Sequence, residues 1–404
     1  MKKLVFFIAV LLFLAGCTGS PINNSDKNTS SDFEEAPVNE ETGETEETQA
    51  ALEGENTEEA PAEPEGEKGY VIADGLRVRQ NPNVDAPIVD ALPLGTEIRI
   101  LEKSEDKQRI GEYEDFWYRI KFGDRTGWCF GPYLSLEDEL KAKIQARFDK
   151  YFSPEMSVVT AVSTLEKLIE LTGDSSMVDM GVEKMIKLQK DIEYRYLAGL
   201  QREANVEKLR QLPFEHLNDP AQIQDADLRE LLTTIRANGY HIYAAEGDFY
   251  LESDPQYFLQ RFGSKLSKAF REYLKLKSVE VDRHFAQDAG LIISWNELSD
   301  RIAAWESFIQ KYPDTDYAAE ARQEYFERYL YFYVNGLDNS RLYDYGTGEL
   351  KDELKKSYER YIAEYGDQPS GRAVLEFYNL LKKNNFKETD EVKEYAKNIK
   401  KAVS

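Results

Sequence analysis

Between Thr18 and Lys68 the chain carries almost no large apolar side chain, and that gap decides where folding can begin. A segment dense in Glu, Thr, Ser, Asn and Pro cannot bury enough surface to offset the entropy of ordering its backbone. Its composition predicts a disordered N-terminal tether and confines the hydrophobic cores to the residues after it. The tether holds sixteen acidic and two basic residues, which is more than half of the formal net charge of -24. Like charges in a flexible chain repel, so the segment spans about 40 Å on average and at most about 170 Å when fully extended. The acidity excludes nucleic acid and an anionic membrane surface as partners, because both require clustered Lys and Arg. No Asp-x-Asp-x-Asp-Gly spacing shapes the acidic run into a calcium loop.

Ahead of the tether, Lys2 and Lys3 precede an apolar run from Leu4 to Leu14 that closes on Leu14-Ala15-Gly16-Cys17. A positive start, about a dozen apolar residues and a small-residue box form an export signal, and the run is too short to span a bilayer. The box resembles that of bacterial lipoproteins. That resemblance implies that residues 1-16 are a signal peptide and that Cys17 becomes the first mature residue, with a diacylglycerol on its thiol and often a palmitate-type chain on its amine. Residues 17-68 are then the lipidated cysteine and its linker. One acyl chain binds a membrane marginally and two or three bind durably, so the expected localisation is the extracytoplasmic side of the cell membrane. Thr18 follows the cysteine in place of an aspartate, so nothing there resembles an inner-membrane retention signal.

Residues 69-135 change to short runs of period two separated by turn residues. Gly75-Leu76-Arg77-Val78-Arg79 leads into Asn81-Pro82-Asn83, then Ile88-Val89, Ala91-Leu92 and a turn at Gly95. Thr96-Glu97-Ile98-Arg99-Ile100-Leu101 alternates cleanly, and Trp117-Tyr118-Arg119-Ile120-Lys121-Phe122 is joined by Gly123-Asp124 to Gly127-Trp128-Cys129-Phe130. Such spacing predicts a small barrel. The order Gly-Leu-x-Val-Arg, a proline loop, a glycine turn, Trp-Tyr-x-Ile, Gly-Trp and Tyr-Leu resembles the bacterial SH3 family over the whole segment. Asn81 stands where that family usually has Gly, and Cys129 where it usually has Val. The resemblance implies attachment to cell-wall peptide near the loop from Arg79 to Ala86. Tyr113, Phe116, Trp117 and Tyr133 are the exposed aromatics expected to line the groove. Trp117 and Trp128 also fall where alternation places core residues, and a barrel of this size needs most of its aromatics inside. Cys129 has no partner thiol once Cys17 is acylated, and it reads as a small buried hydrophobe.

Residues 136-404 predict a large α-helical domain of roughly nine or ten helices, with one large or two modest cores. Ser135-Leu136-Glu137-Asp138 reads as a cap ahead of Leu140, Ile144, Phe148 and Tyr151. Ser153-Pro154, Asp219-Pro220 and Asp254-Pro255 read as helix starts, Asn238-Gly239 as a stop and Ser294-Trp295-Asn296-Glu297 as a capping box. Tyr240 to Tyr250 breaks the helical pattern as an extended loop or short hairpin. Trp305-Glu306-x-Phe308-Ile309-x-Lys311-Tyr312-Pro313-Asp314 is echoed by Tyr358-Glu359-x-Tyr361-Ile362-x-Glu364-Tyr365-Gly366-Asp367. With Tyr317-Ala318-Ala319-Glu320-Ala321 this phrase resembles the tetratricopeptide-like repeats of envelope assembly lipoproteins. Copies about 53 residues apart do not fit a 34-residue repeat, so the expected form is a looser pair of helical hairpins at 294-335 and 350-385. The resemblance implies a concave face for an envelope protein partner. Tyr325, Phe326, Tyr329, Leu330 and Tyr333 form a stripe expected to face the core.

The catalytic inventory is thin. His216, His241 and His284 are scattered without a paired spacing, so neither a metal nor another cofactor is expected. No nucleophile elbow occurs. Glu246 and Asp248 bracket Gly247 among Tyr243, Phe249 and Tyr250, and they are the acid/base pair of the alternative reading, a glycosidase-like wall enzyme. The expected whole is multidomain: a tether, a small all-β SH3-like barrel, and a mainly α-helical domain that scaffolds a partner without catalysis.

Overall fold

The computed structural model describes residues 66-403. The lipobox, Cys17 and the acidic segment as far as residue 65 lie outside the described residues. The chain opens with β1 (Glu67–Val71), β2 (Leu76–Arg79), β3 (Ile88–Leu92) and β4 (Glu97–Lys103). A small hairpin follows, β5 (Gln108–Ile110) with β6 (Tyr113–Asp115), and then β7 (Trp117–Phe122), β8 (Arg125–Phe130) and β9 (Leu134–Leu136). Seven of these strands form one sheet in the order β3-β2-β8-β7-β4-β1-β9, antiparallel at every ladder. Register shifts at Val78/Arg79 and at Ile100/Glu102 bend the sheet around its core. That core is Val71, Leu76, Val78, Leu92, Ile98, Ile120, Phe122, Cys129 and Leu134, the inward members of the alternation. Gly127 is required by close approach, because a Cβ there would lie 2.4 Å from Val78 Cγ1.

The remaining residues form a mainly α-helical domain, and the barrel is joined to it by a shared core. Ile72 and Leu94 pack in the same cluster as Ile144, Phe148 and Leu165, and the Tyr151 hydroxyl donates to Ile72 O at 2.7 Å. A smaller second core holds Leu200, Leu209, Leu232, Ile235, Tyr240 and Leu251, among others. One large core and one small one therefore replace the even choice between one and two. Fourteen α-helical segments lie among the described residues, more than the nine or ten expected. Seven-residue helices such as Tyr194–Leu200 and Glu203–Leu209 are too short to display a full apolar stripe.

Caps explain most helix starts, though not all the expected ones. Asp254 accepts from Gln256 N ahead of Pro255–Phe262, and Ser294 accepts from Glu297 N ahead of Trp295–Lys311. Asn238-Gly239 ends Ala226–Ala237, with Gly239 at φ +74°. Three expected starts are displaced. Ser135 belongs to β9 and its hydroxyl donates to Leu136 O, so the next helix begins at Leu140 without a side-chain cap. Ser153-Pro154 opens a turn, and Ser157 caps Val158–Thr172. Asp219-Pro220 starts a single 3-10 turn, and Asp225 caps the following helix.

Tyr240–Ala245 and Asp248–Ser253 form the hairpin expected at the break in helical pattern, here with a two-residue turn at positive φ, Glu246 at +52° and Gly247 at +80°. The echoed segments fold as helix pairs. Trp295–Lys311 precedes Asp316–Asn335, which is interrupted by a π-turn at Arg322–Phe326, and Asp352–Tyr365 precedes Pro369–Lys383. Phe326, Tyr329, Leu330 and Tyr333 are buried, as a core-facing stripe requires. The pairs are tied together by Glu306, whose buried carboxylate accepts from Ser370 N at 3.0 Å and from the Ser370 hydroxyl, which also meets Tyr361.

Burial raises the Glu306 carboxyl above its ordinary value of 4.5, and the bonds from Ser370 pull it partly back. An acid whose folded pKa is raised binds its proton more tightly in the native state, so its contribution to stability falls as pH rises from 4.5 through the folded value. Urea midpoints measured over that window should decline less steeply for Glu306→Gln than for the unaltered protein.

Candidate functional site

Alternation along β2 turns Leu76 and Val78 inward and sends Arg77 and Arg79 outward on one face. Across the sheet, Trp117 at the start of β7 is paired with Phe130 at the end of β8, with ring centroids 5.6 Å apart. Tyr133 sits in the 3-10 turn that follows, 6.2 Å from Phe130. These side chains enclose a groove of about 390 Å³ with Leu76, Val84 and Ile110 on its walls.

The groove is fixed by hydrogen bonds. The Trp117 indole donates to Gln108 Oε1 at 2.9 Å, and Gln108 Nε2 donates to Pro82 O at 2.8 Å, which joins the floor to the proline loop. Arg79 Nη1 donates to Ala86 O at 2.7 Å and closes the other end of that loop. The Arg77 side chain is exposed and makes neither a hydrogen bond nor an ion pair among the described residues, and Arg79 has no carboxylate partner. The groove therefore offers a flat apolar floor with guanidinium donors at its edge, an arrangement suited to an extended group that carries a carboxylate.

The four aromatics expected at the groove are divided by the structure. Trp117 and Tyr133 line it. Trp117 does so from inside, only 2 % exposed, which corrects its placement among exposed residues. It opens a central strand and packs on Phe130. Trp128, expected in the core, is half-buried on the outward side of β8, between buried Gly127 and Cys129. Tyr113 stands edge-on to Tyr133 at 5.8 Å, with the Arg147 guanidinium 5.5 Å and the Lys150 ammonium 4.6 Å from its ring. Both cations come from the helical domain, so Tyr113 serves that junction. Lys150 also bonds Glu112 and holds its carboxyl below the usual range. Phe116 lies under the Lys103 and Lys107 ammoniums, at 4.7 and 5.3 Å, and outside the groove lining. Sequence reading missed Arg77, Arg79 and Phe130, although the Arg-Val-Arg alternation was the available signal for the first two.

The other expected residues have plainer settings. Cys129 is fully buried, and burial pushes its thiol up to about 12, far from a nucleophilic thiolate. Glu246 is exposed at a hairpin tip and Asp248 accepts from Phe249 N. The aromatics expected to desolvate that pair are engaged elsewhere: Tyr243 stacks on Tyr250 at 5.6 Å and Phe249 is buried in the second core. His241 is paired with Asn218, and His284 Nε2 lies 2.8 Å from Glu252, which raises the imidazole pKa. Among the described residues no group of three His, Cys, Asp or Glu side chains is placed to hold a metal ion. No helix among them is long and apolar enough to cross a membrane.

A bent antiparallel sheet with a proline loop beside an aromatic groove defines a small SH3-like barrel. Residues 74-135 match the family described as bacterial SH3 domain, so this part of the chain is such a domain, and the helical residues lie outside the match. No curated protein and no solved structure matches the chain.

Proposed function

We propose that this protein is an envelope lipoprotein, anchored through acylated Cys17, that holds cell-wall peptide in the barrel groove and presents its helical domain to a protein partner. The wall reading is carried by one observation: an aromatic-floored groove in a bacterial SH3 domain with two guanidiniums that pair with no carboxylate, the one acid in the lining, Asp74, being held by Leu94 N and Lys167. Wall stem peptides are extended chains with free carboxylates, and a guanidinium can take such a group by two parallel N–H bonds. The acidic segment between anchor and barrel repels the anionic membrane surface and gives the barrel reach toward the wall. This is a binding role without catalysis, supported by the open setting of Glu246 and the masked thiol of Cys129.

The test is sedimentation of the purified chain with peptidoglycan sacculi over a salt series. A charge-assisted hydrogen bond contributes about 1.5 to 3 kcal/mol, so Arg77→Glu should weaken binding by about tenfold or more. Its thermal unfolding should be unchanged, because the Arg77 side chain is exposed and bonds nothing in the fold, while the backbone bonds of β2 are kept. Equal sedimentation of the two proteins, or no sedimentation of the unaltered chain, would remove the groove from the reading.

A further inference from the structure

Outside the barrel, five segments of the helical domain converge on a cleft of about 380 Å³. One wall is a set of near-parallel rings. Phe270 lies 4.7 Å from Tyr317 at an interplanar angle of 17°, and Tyr273 lies 5.3 Å from Tyr317 at 29°. The mouth is bordered by four carboxylates, Glu183, Glu252, Asp316 and Glu320. They come from the helix Ser175–Ile192, the strand Asp248–Ser253 and the helix Asp316–Ala321, so no single segment explains the grouping.

Lys277 is the one ammonium in the lining, and its position shows what chemistry the cleft accommodates. Its Nζ lies 3.9 Å from Glu320, 5.8 Å from the Tyr273 ring and 5.3 Å from the Tyr325 ring. Tyr325 reaches that position from the π-turn Arg322–Phe326, where the helix gains an extra residue and turns the ring onto Trp305 at 4.3 Å. A cation among ring faces and a carboxylate is thus already present. The remaining acids have weaker claims on them. Glu183 accepts only the Tyr317 hydroxyl, at 2.5 Å, Glu252 is met by His284, and Asp316 has no side-chain partner. One further cation entering over Tyr317 would be placed between Glu183 and Asp316 with aromatic surface beneath it.

We propose that this cleft is a recognition site for a lysine or arginine side chain on an exposed basic segment of a protein partner. Charge complementarity selects that occupant. A neutral glycan could stack on the rings but would leave the acidic border without a counter-charge, and an acidic peptide would be repelled. The proposal rests on the partner half of the function proposed above and is independent of the wall groove.

Tetralysine amide is the probe, titrated into the full chain at about 0.1 M salt, with tetraglutamine amide as the uncharged comparison. Saturable binding of tetralysine is expected, and the double variant Glu183→Gln/Glu320→Gln should weaken it by about tenfold, one charge-assisted contact. Glu203→Gln/Glu207→Gln, which removes the same charge from the helix Glu203–Leu209, should bind as the unaltered chain does. Tyr317→Leu should also weaken binding, which separates ring attraction from bulk charge. All three variants replace exposed or half-buried groups, and each should keep the circular dichroism spectrum of the unaltered chain. Equal loss in the two glutamine variants, or no preference for tetralysine over tetraglutamine, would overturn the site. Retained sedimentation with sacculi by Glu183→Gln/Glu320→Gln keeps its failure distinct from failure of the groove.

Discussion

Replacing Glu280 with alanine should lower the unfolding free energy by about 3 to 5 kcal/mol, one of the largest losses expected from a single substitution in this chain. Glu280 is buried in the helix Lys268–Asp282 and collects three donors: Arg301 Nη1 at 2.5 Å, Tyr329 Oη at 2.6 Å and Trp305 Nε1 at 3.0 Å. Those donors lie on two other helices, so one carboxylate joins three elements. Its removal leaves the Arg301 guanidinium buried with Glu297 and the Arg283 carbonyl as its remaining partners, at 2.9 and 2.8 Å. Desolvation of the stranded donors, more than loss of attraction, sets the cost. Urea unfolding followed by circular dichroism should show a lower midpoint at similar slope. Glu280→Leu combined with Arg301→Met should recover the part of the loss that comes from the stranded guanidinium, while Tyr329 Oη and Trp305 Nε1 stay without their acceptor. If Glu280→Ala unfolded at the native midpoint, the network would contribute nothing net.

The second large effect belongs to the barrel. Trp117→Ala removes a nearly buried indole packed on Phe130, and substitutions of this kind cost about 3 to 5 kcal/mol through lost burial and the cavity left behind. It also frees Gln108, and with it the bond to Pro82 that holds the groove loop. The barrel should unfold at lower denaturant and sacculus binding should disappear with it. Trp117→Phe restores most of the packing and leaves Gln108 Oε1 unpaired, so it should cost about 1 kcal/mol. Tryptophan emission follows both changes. Paired with Arg77→Glu, the two variants separate a groove that is absent from one that is present and discharged.

The two predictions also mark where sequence reading stops. Alternation exposed the barrel because a sheet with one buried face must repeat with period two, and Leu76, Val78, Ile98, Ile120 and Phe122 are its inward members. The same rule carried the signal for Arg77 and Arg79 on the outer face, which sequence reading missed. It placed Trp117 in the core, where the ring lies while still lining the groove, and it misplaced Trp128, which is half-buried on the outward side of β8. Helix starts were legible where a cap precedes an apolar stripe, as at Asp254 and Ser294. They were displaced at Ser135 because β9 pairs with β1 some 65 residues earlier, a competing use that local pattern cannot reveal.

The amino-acid order by itself determined the division of the chain. Among the described residues, a period-two segment forms a barrel and 3.6-residue stripes form helices. Each rests on interactions between near neighbours. Tertiary structure alone decided that Ile72 and Leu94 of the barrel share a core with the first helices, that Glu280 joins three helices, and that Glu183, Glu252, Asp316 and Glu320 border one cleft. Those residues are up to 137 positions apart, as between Glu183 and Glu320, and only packing of the intervening helices brings such distant side chains to one place. A sequence of 75 acidic residues holds many possible groupings, and the fold selects the few that become sites.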